Sequence, residues 1–562
     1  MVTRFYQEVM DLTDTDALEA RVQALLTRPL HSLVDLQDWL NEEELFGKHV
    51  SEAFMGHAID FYCQTDDEER KARHVHDQTV VMPMLAQQQF ELDKKFINCP
   101  FIDQLDDAKY DLLRKARLAR VELFREENIA LMAKEQQLVT EYSATVGGLT
   151  GDWEGEPQPI PFLQAKLTHP DRTVREQAWR SIKSAYSPFC EKIDSIMDEL
   201  VSVRHQMALN AGFSNYRDYS FRVKNREYSL AEVERLHAVT ENIVIPVWAE
   251  IAEDRRRELG IDTLRPWDIG AESQQLTPFA DVSELVADVG RMLARTDTAF
   301  ATLLTTMNEN GLLDLESRAG KMHGGFNAPL VLSGHSFIFG NAAGADWDVT
   351  VLVHELGHAY HFEASKEDAV LDEGLHRSEI AELFSHAMEV LVIDKLEEVY
   401  PEPAALRAAQ SRRLRRIASM LFGPVASDLF QHWMYTHPEH TAQERRAMWR
   451  DIEKRYSQRP VDWEGLDFEL GVDWMGTEHY FGYPFYMLEY TISMLGAINL
   501  WIMYKENPAL AIANYKRAAS AGYSLPIRAV YALAGVDFDF SDSAVDRLAH
   551  YLLTQWRAAQ QA

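Results

Sequence analysis

The sequence predicts a mainly α-helical protein with one short strand-bearing segment, and three observations carry that expectation. Apolar residues recur at spacings of three and four through most of the chain, the period of helices with one buried face. Asp107 to Glu141 shows this most plainly, with charges filling the positions between. Glycine and short apolar runs are concentrated instead near residues 320–350, where Ser336 to Phe339 reads as a strand. The chain has 562 residues, 46% hydrophobic and 26% charged, enough for a large core and for more than one domain.

Taken in order, Asp107 to Glu141 reads as one long amphipathic helix or two in register, ended by Gly147 and Gly148. The Gly- and Pro-rich stretch that follows, GGLTGDWEGEPQPIPF, reads as a hairpin or connector. Helical patterns resume near Thr173 and run to about Asp254, so a boundary falls within 150–190, dividing a helical region 1–175 from a second domain 176–562. Beyond residue 350 the pattern is almost wholly helical. The basic cluster Arg412 to Arg416 reads as the solvated side of a helix. The longest apolar stretch, Tyr486 to Tyr504, carries Glu489 and Asn499 and is expected to be a buried helix, not a membrane span.

Composition excludes several classes of function. A formal net charge of -32, from 88 acidic against 56 basic residues, argues against a nucleic-acid partner. Three widely spaced cysteines (Cys63, Cys99, Cys190) form no CxxC pair, which argues against a disulfide framework or a thiolate metal site. The N-terminus has acidic residues where a signal peptide needs an apolar core, so a cytoplasmic protein is expected.

One motif carries chemistry. In His354-Glu355-Leu356-Gly357-His358 the two histidines lie four apart, on one face of a helix, and can offer imidazole nitrogens to one ion. Glu355 sits beside that face, where its carboxylate can hold an attacking water. Asp348 is the expected N-cap. Gly357 weakens a helix interior by about 1 kcal/mol relative to alanine, which is explained if another backbone approaches closely there. His361 shares the stripe, but seven residues put it about 10 Å along the axis from His354, too far for the same ion.

A third ligand is expected from HRSEIAELFSHAMEVLVIDKL. At helical spacing Glu379, Glu382, His386 and Glu389 share one side, opposite an apolar stripe. A turn-bearing link, Glu363 to His376, lets the two helices run side by side. Glu382 as ligand, with Glu389 accepting a ligand imidazole N–H, follows the usual support pattern of zinc sites, and Glu379 is the rival ligand. Two histidines and one carboxylate leave a coordination position open, as catalytic zinc sites do.

The stretches FIFGNAAGADWDVTVLVHELGHAYHF and AELFSHAME resemble the thimet oligopeptidase and oligoendopeptidase F family of zinc peptidases. EHYFGYPFYMLEYTISMLGAINLW is similar to the His- and Tyr-rich segment of its shorter bacterial, Pz-peptidase-like members, and LTHPDRTVREQAW resembles the linker into the catalytic region. The resemblance implies a helical zincin-type ellipsoid with a deep substrate channel, a small sheet beside the HExxH helix, and residues 1–175 as one channel wall. It selects Glu382, the Glu of an AExxS segment, over Glu379. One zinc ion per chain would be held by His354, His358 and Glu382, with Glu389 behind them. Glu355 would take a proton from the attacking water and deliver it to the leaving amine. His479 and a tyrosine among Tyr483, Tyr486 and Tyr490, Tyr486 first, would stabilise the oxyanion. The strand around His335 to Gly340 would bind substrate main chain by strand addition. Short unstructured oligopeptides are the substrates implied. The sequence leaves monomer and homodimer open, and no membrane partner is expected. The alternatives are a metallocarboxypeptidase on a related helical fold and a non-catalytic peptide-binding homologue.

Overall fold

Helices begin where short polar side chains can take up the free N–H groups of a first turn. Asp106 accepts from Ala108, Asp171 from Thr173, Asp281 from Glu284 and Thr441 from Glu444. The computed structural model describes residues 5–272, 275–367, 372–456 and 461–561. Most of them are helical, as the periodicity predicts. Five helices bury polar side chains that matter to the sites described below, namely α1 (Asp107–Leu123), α2 (Leu230–Val239), α3 (Asp346–Ser365), α4 (Ser378–Leu391) and α5 (Gly423–Thr436), and those side chains need internal partners. The strands are few: β1 (Thr150–Trp153), β2 (Glu156–Pro159), β3 (Leu313–Glu316), β4 (Phe326–Leu330) and β5 (His335–Ala342).

Two compact units are interleaved along the chain. The first is Met1–Phe124, Thr277–Pro401 and Gly496–Phe538; the second is Arg125–Leu276, Glu402–Leu495 and Asp539–Ala562. The boundary expected at 175/176 falls inside the helix Arg172–Tyr186 of the second unit. The Asp107 to Glu141 pattern is two helices, α1 and Glu126–Gly147, one in each unit. Phe124 leaves helical geometry between them and stacks on Phe90, ring centroids 3.8 Å apart.

In the first unit, α3 and α4 pack against each other and against a three-stranded sheet ordered β3-β5-β4. β5 pairs parallel with β3 and antiparallel with β4, and Ser336 to Gly340 are buried. Both edges of β5 are therefore taken, so it cannot receive a substrate strand as expected above; the outer edge of β4 has no strand beside it among the described residues. The turn between β4 and β5 is held by Glu52, whose buried carboxylate accepts from the N–H groups of Leu332 and Ser333 at 2.6 and 2.9 Å.

The N-cap of α3 is Ala345, not Asp348. Asp348 lies in the first turn and reaches back to accept from the N–H groups of Ala343 and Ala345, at 2.8 and 2.9 Å. It satisfies the entering chain from inside the helix, where its charge also suits the positive end of the helix dipole. Within α4 every residue from Glu379 to Leu391 is buried, the polar side included.

The α3–α4 link includes residues 368–371, which lie outside the described residues. It is anchored directly after them by Asp372, which accepts from Arg117 Nε at 3.2 Å and Arg120 Nη1 at 2.5 Å. Arg117 also pairs with Glu43, and Arg120 with Asp93, so α1 joins the link to a buried ion-pair network. Burial pushes the Asp372 carboxyl up, but the two guanidiniums prevail and hold it below the ordinary carboxylate value.

In the second unit β1 and β2 form the expected hairpin, closed by Glu154 and Gly155 at φ 56° and 89°. Arg413 and Arg415 are buried at 7% and 8% exposure, so the cluster Arg412 to Arg416 is not simply a solvated helix side. The buried Glu272 carboxylate draws in Arg412 at 3.0 Å and also pairs with Arg415. The apolar stretch at 486–504 is the helix Met487–Glu506, and no described helix is long and apolar enough to cross a membrane.

Gly357 is where α3 and α4 meet. A Cβ there would lie 2.5 Å from Ser385 Cα and 2.7 Å from Phe384 O, both backbone atoms of α4. Gly357→Ala should destabilise the protein by about 1–3 kcal/mol through overpacking, despite alanine's better helix propensity. Gly290→Ala, in the helix Val282–Ala294 with no atom within 4 Å of its Cβ, should stabilise by up to about 1 kcal/mol. Thermal melting of the two variants measures the contrast; a stabilised Gly357→Ala would contradict the close approach.

Candidate metal centre

The contact at Gly357 brings the polar face of α4 against the His354–His358 face of α3. His354 Nε2 lies 3.4 Å from Glu382 Oε2, and His358 Nε2 lies 3.9 Å from the same oxygen. The imidazole planes are nearly perpendicular, at 85° with centroids 4.9 Å apart. The three ligand-type atoms lie within 4.8 Å of one another. A tetrahedral ion with bonds near 2.0–2.1 Å separates its ligands by about 3.3 Å, so this donor set fits zinc with small adjustment.

Two further contacts orient the donors. His354 Nδ1 lies 2.7 Å from Glu389 Oε1, which leaves its Nε2 for the ion. Ser385 Oγ, at 3.2 Å, donates to Glu382 Oε2 and steadies that carboxylate. Glu379, the rival, is buried too; it belongs to none of the metal-type groupings among the described residues. Its backbone carbonyl accepts from Tyr531 Oη at 3.0 Å.

The electrostatics follow from three carboxylates in a buried space. Burial works against a charged His354, yet Glu382 and Glu389 outweigh it and carry the imidazole to about 10. Burial pushes Glu382 up, but His354 and His358 hold it far below the carboxylate range. Burial takes His358 down to about 4 and lifts Glu355 to about 7. Such a cluster needs a positive charge at its centre, supplied either by a proton on His354 or by a cation between the donors.

A second grouping, His354, His386 and Glu389, shares His354. His386 and Glu389 are buried at 0% and 5% exposure, whereas the His354 and His358 side chains keep 16% and 20%. The Glu382 grouping is thus the one with an open side, which a catalytic ion requires. His361 is buried and stacks on Phe384, centroids 4.3 Å apart, and burial takes it to about 3. It packs the helix pair and belongs to no metal-type group among the described residues.

Glu355, at 8% exposure, is held from the side of the sheet. The Asn327 backbone N–H in β4 acts on its carboxylate and partly offsets the burial. Asn327 was not legible as a neighbour because the pairing of β4 with β5 sets it there. Tyr523 was missed as well: it packs on His361 and His376, centroids 5.1 and 5.0 Å away, and feels the Glu382 charge. It sits in a short loop with no motif, so only the fold reveals it.

His479, Tyr483, Tyr486 and Tyr490 belong to the second unit. The His479 ring stands 6.0 Å from each of the three tyrosine rings, and Tyr483 is 58% exposed. Phe485, inside this loop, is fully buried with φ 62°, a left-handed conformation costly for an aromatic residue. It is held there by its N–H donating to Gln431 Oε1 at 2.8 Å and its carbonyl accepting from Arg226.

Comparisons with known proteins give the family and the fold. The description of peptidase family M3 matches residues 166–550. Group B oligopeptidase PepB of Streptococcus agalactiae is 22% identical over 66% of this chain and 61% of its own length. Oligopeptidase PepF of Bacillus subtilis is 21% identical over 74% of this chain and 64% of its own. The match thus spans under two thirds of the length of either curated relative. The solved structure of Pz peptidase A with inhibitor 2 superposes with a TM-score of 0.89, covering 98% of both chains at 23% identity, a likeness of fold. Since the family match takes in well over half of the chain, including α3, α4 and the His479 segment, the chain belongs to peptidase family M3.

Proposed function

We propose that this chain is a zinc-dependent oligoendopeptidase that hydrolyses internal bonds of short, unstructured peptides. The observation that carries the reading is the open-sided donor set of His354, His358 and Glu382, whose His354 and Glu382 act electrostatically on the buried Glu355 carboxylate. Oligopeptidase relatives support the substrate class. A bound zinc ion supplies Lewis acidity, acidifying water and polarising a carbonyl.

The protein's own groups do the rest. Glu355 is lifted to about 7, so it can both accept a proton from the attacking water and return it to the leaving amine near neutral pH. Glu389 fixes the His354 tautomer by taking its Nδ1–H. Peptide main chain adds along the outer edge of β4, in place of β5. Pro329 in β4 has no N–H to give, which is tolerated at an edge strand. His479 and Tyr486, with Tyr483 as the alternate, carry the oxyanion role that the family resemblance implies; a phenol or imidazole N–H aimed at developing charge is worth several kcal/mol in a dry cleft.

Glu355→Gln should lower kcat by roughly 10²–10⁴-fold while zinc content stays near one ion at this site; full activity would remove Glu355 from proton transfer. Glu389→Ala should weaken zinc binding or activity by roughly 10–100-fold, and Glu382→Ala should weaken zinc retention further. Zinc retention through dialysis against a chelator measures both, and unchanged retention in Glu382→Ala would return the third-ligand role to Glu379. Mass spectrometry of products from a mixed peptide pool should show internal cleavage that stops on chelation and resumes with zinc. Release of single C-terminal residues would instead indicate a carboxypeptidase.

A further inference from the structure

The second unit contains its own group of metal-ligand side chains, built from helices that the proposed reaction does not use. Asp428 and His432 lie four apart on α5, and His237 faces them from α2. His237 Nε2 is 2.8 Å from Asp428 Oδ2, and His432 Nε2 is 3.2 Å from the same oxygen. The three residues are 5%, 0% and 6% exposed. Their rings stand at 77° with centroids 5.0 Å apart, so the two nitrogens converge on the carboxylate rather than stacking past it. The aromatic rings of Phe221 and Phe485 wall the His432 side, at 6.2 and 5.8 Å.

Hydrogen bonding alone leaves this cluster incomplete. Asp428 Oδ1 is buried without a hydrogen-bond partner, and so is Thr240 Oγ1 nearby in sequence, while His432 Nε2 meets Asp428 Oδ2 off the hydrogen-bonding direction. A buried acceptor left unmet costs about 1–3 kcal/mol. No lysine or arginine pairs with Asp428 among the described residues; the two imidazoles are the groups that draw its carboxyl down. The chain also widens into a π-helical turn, Thr240–Val244, directly after α2. Such turns are unfavourable and recur at functional sites.

We propose that His237, Asp428 and His432 form a second divalent-metal site, structural in role, that ties α2 to α5. Two imidazole nitrogens and a carboxylate suit a borderline ion of the zinc class. Spreading the donors by a few tenths of an ångström reaches the about 3.3 Å separation of a tetrahedral ion. Coordination through both Asp428 oxygens would also satisfy Oδ1 and supply the fourth donor atom that a closed structural site requires. The burial of all three ligands distinguishes the site from the open-sided one in the first unit, and the inference stands whether or not that one is catalytic.

Metal counting on the full chain tests it. Protein stripped by chelator, loaded with zinc and dialysed against metal-free buffer should retain about two ions for the wild type and about one for His358→Ala. His432→Ala should also retain about one and still hydrolyse a short peptide. Cobalt loaded into His358→Ala should give visible d–d absorption, absent from His358→Ala combined with Asp428→Asn. One ion in the wild type and none in His358→Ala would overturn the proposal, and that comparison decides even where His432→Ala fails to fold.

Discussion

The close approach of α3 and α4 at Gly357 is the contact on which the site depends. With no side chain at that position, the Ser385 backbone comes within reach of the first helix, and the whole polar side of α4 is drawn out of solvent. Glu382 and Glu389 can then face His354 from two directions, one toward each ring nitrogen. A larger residue would separate the helices and move both carboxylates together. The glycine trades helix propensity for a separation that no other residue allows.

Buried charge is handled in two ways. Arg117 and Arg120 are surrounded by Glu43, Asp93 and Asp372, so fork-shaped donors meet carboxylates directly and hold the α3–α4 link at Asp372. Elsewhere carboxylates meet imidazoles, at Glu382 and Glu389 in one unit and at Asp428 in the other. Imidazole offers a lone pair as well as a proton, and its charge is conditional. Arginine clusters are complete as they stand, whereas imidazole clusters can exchange a proton for a metal ion. That difference separates scaffold from candidate metal centre.

Much of the site was legible because helical geometry converts spacing into direction. His354, Glu355 and His358, and the polar stripe of Glu379, Glu382, His386 and Glu389, needed only a period of 3.6 residues to be read as faces. Gly357 signalled a close neighbour by being out of place in a helix. Less was legible where pairing decides the outcome. Only one strand of the small sheet was anticipated, and its central position, with both edges taken, follows from residues 313–316 and 326–330 that carry little strand signal. The burial of Arg413 and Arg415 depends on Glu272, far away in sequence.

The sequence by itself determined the helical class, the two imidazoles on one face and the carboxylate beside them, since these depend on local backbone geometry. It left Glu379 and Glu382 open, because both lie on the same helical side and spacing cannot tell which one a neighbouring helix will meet. Tertiary structure decided which carboxylate faces both histidines, that Asp348 caps from within, and that β4 rather than β5 has an edge with no strand beside it among the described residues. It also decided that His237 meets Asp428 and His432, from helices nearly two hundred residues apart. Each of these outcomes depends on contacts between elements distant in sequence, where packing and desolvation set the result and no periodicity records it.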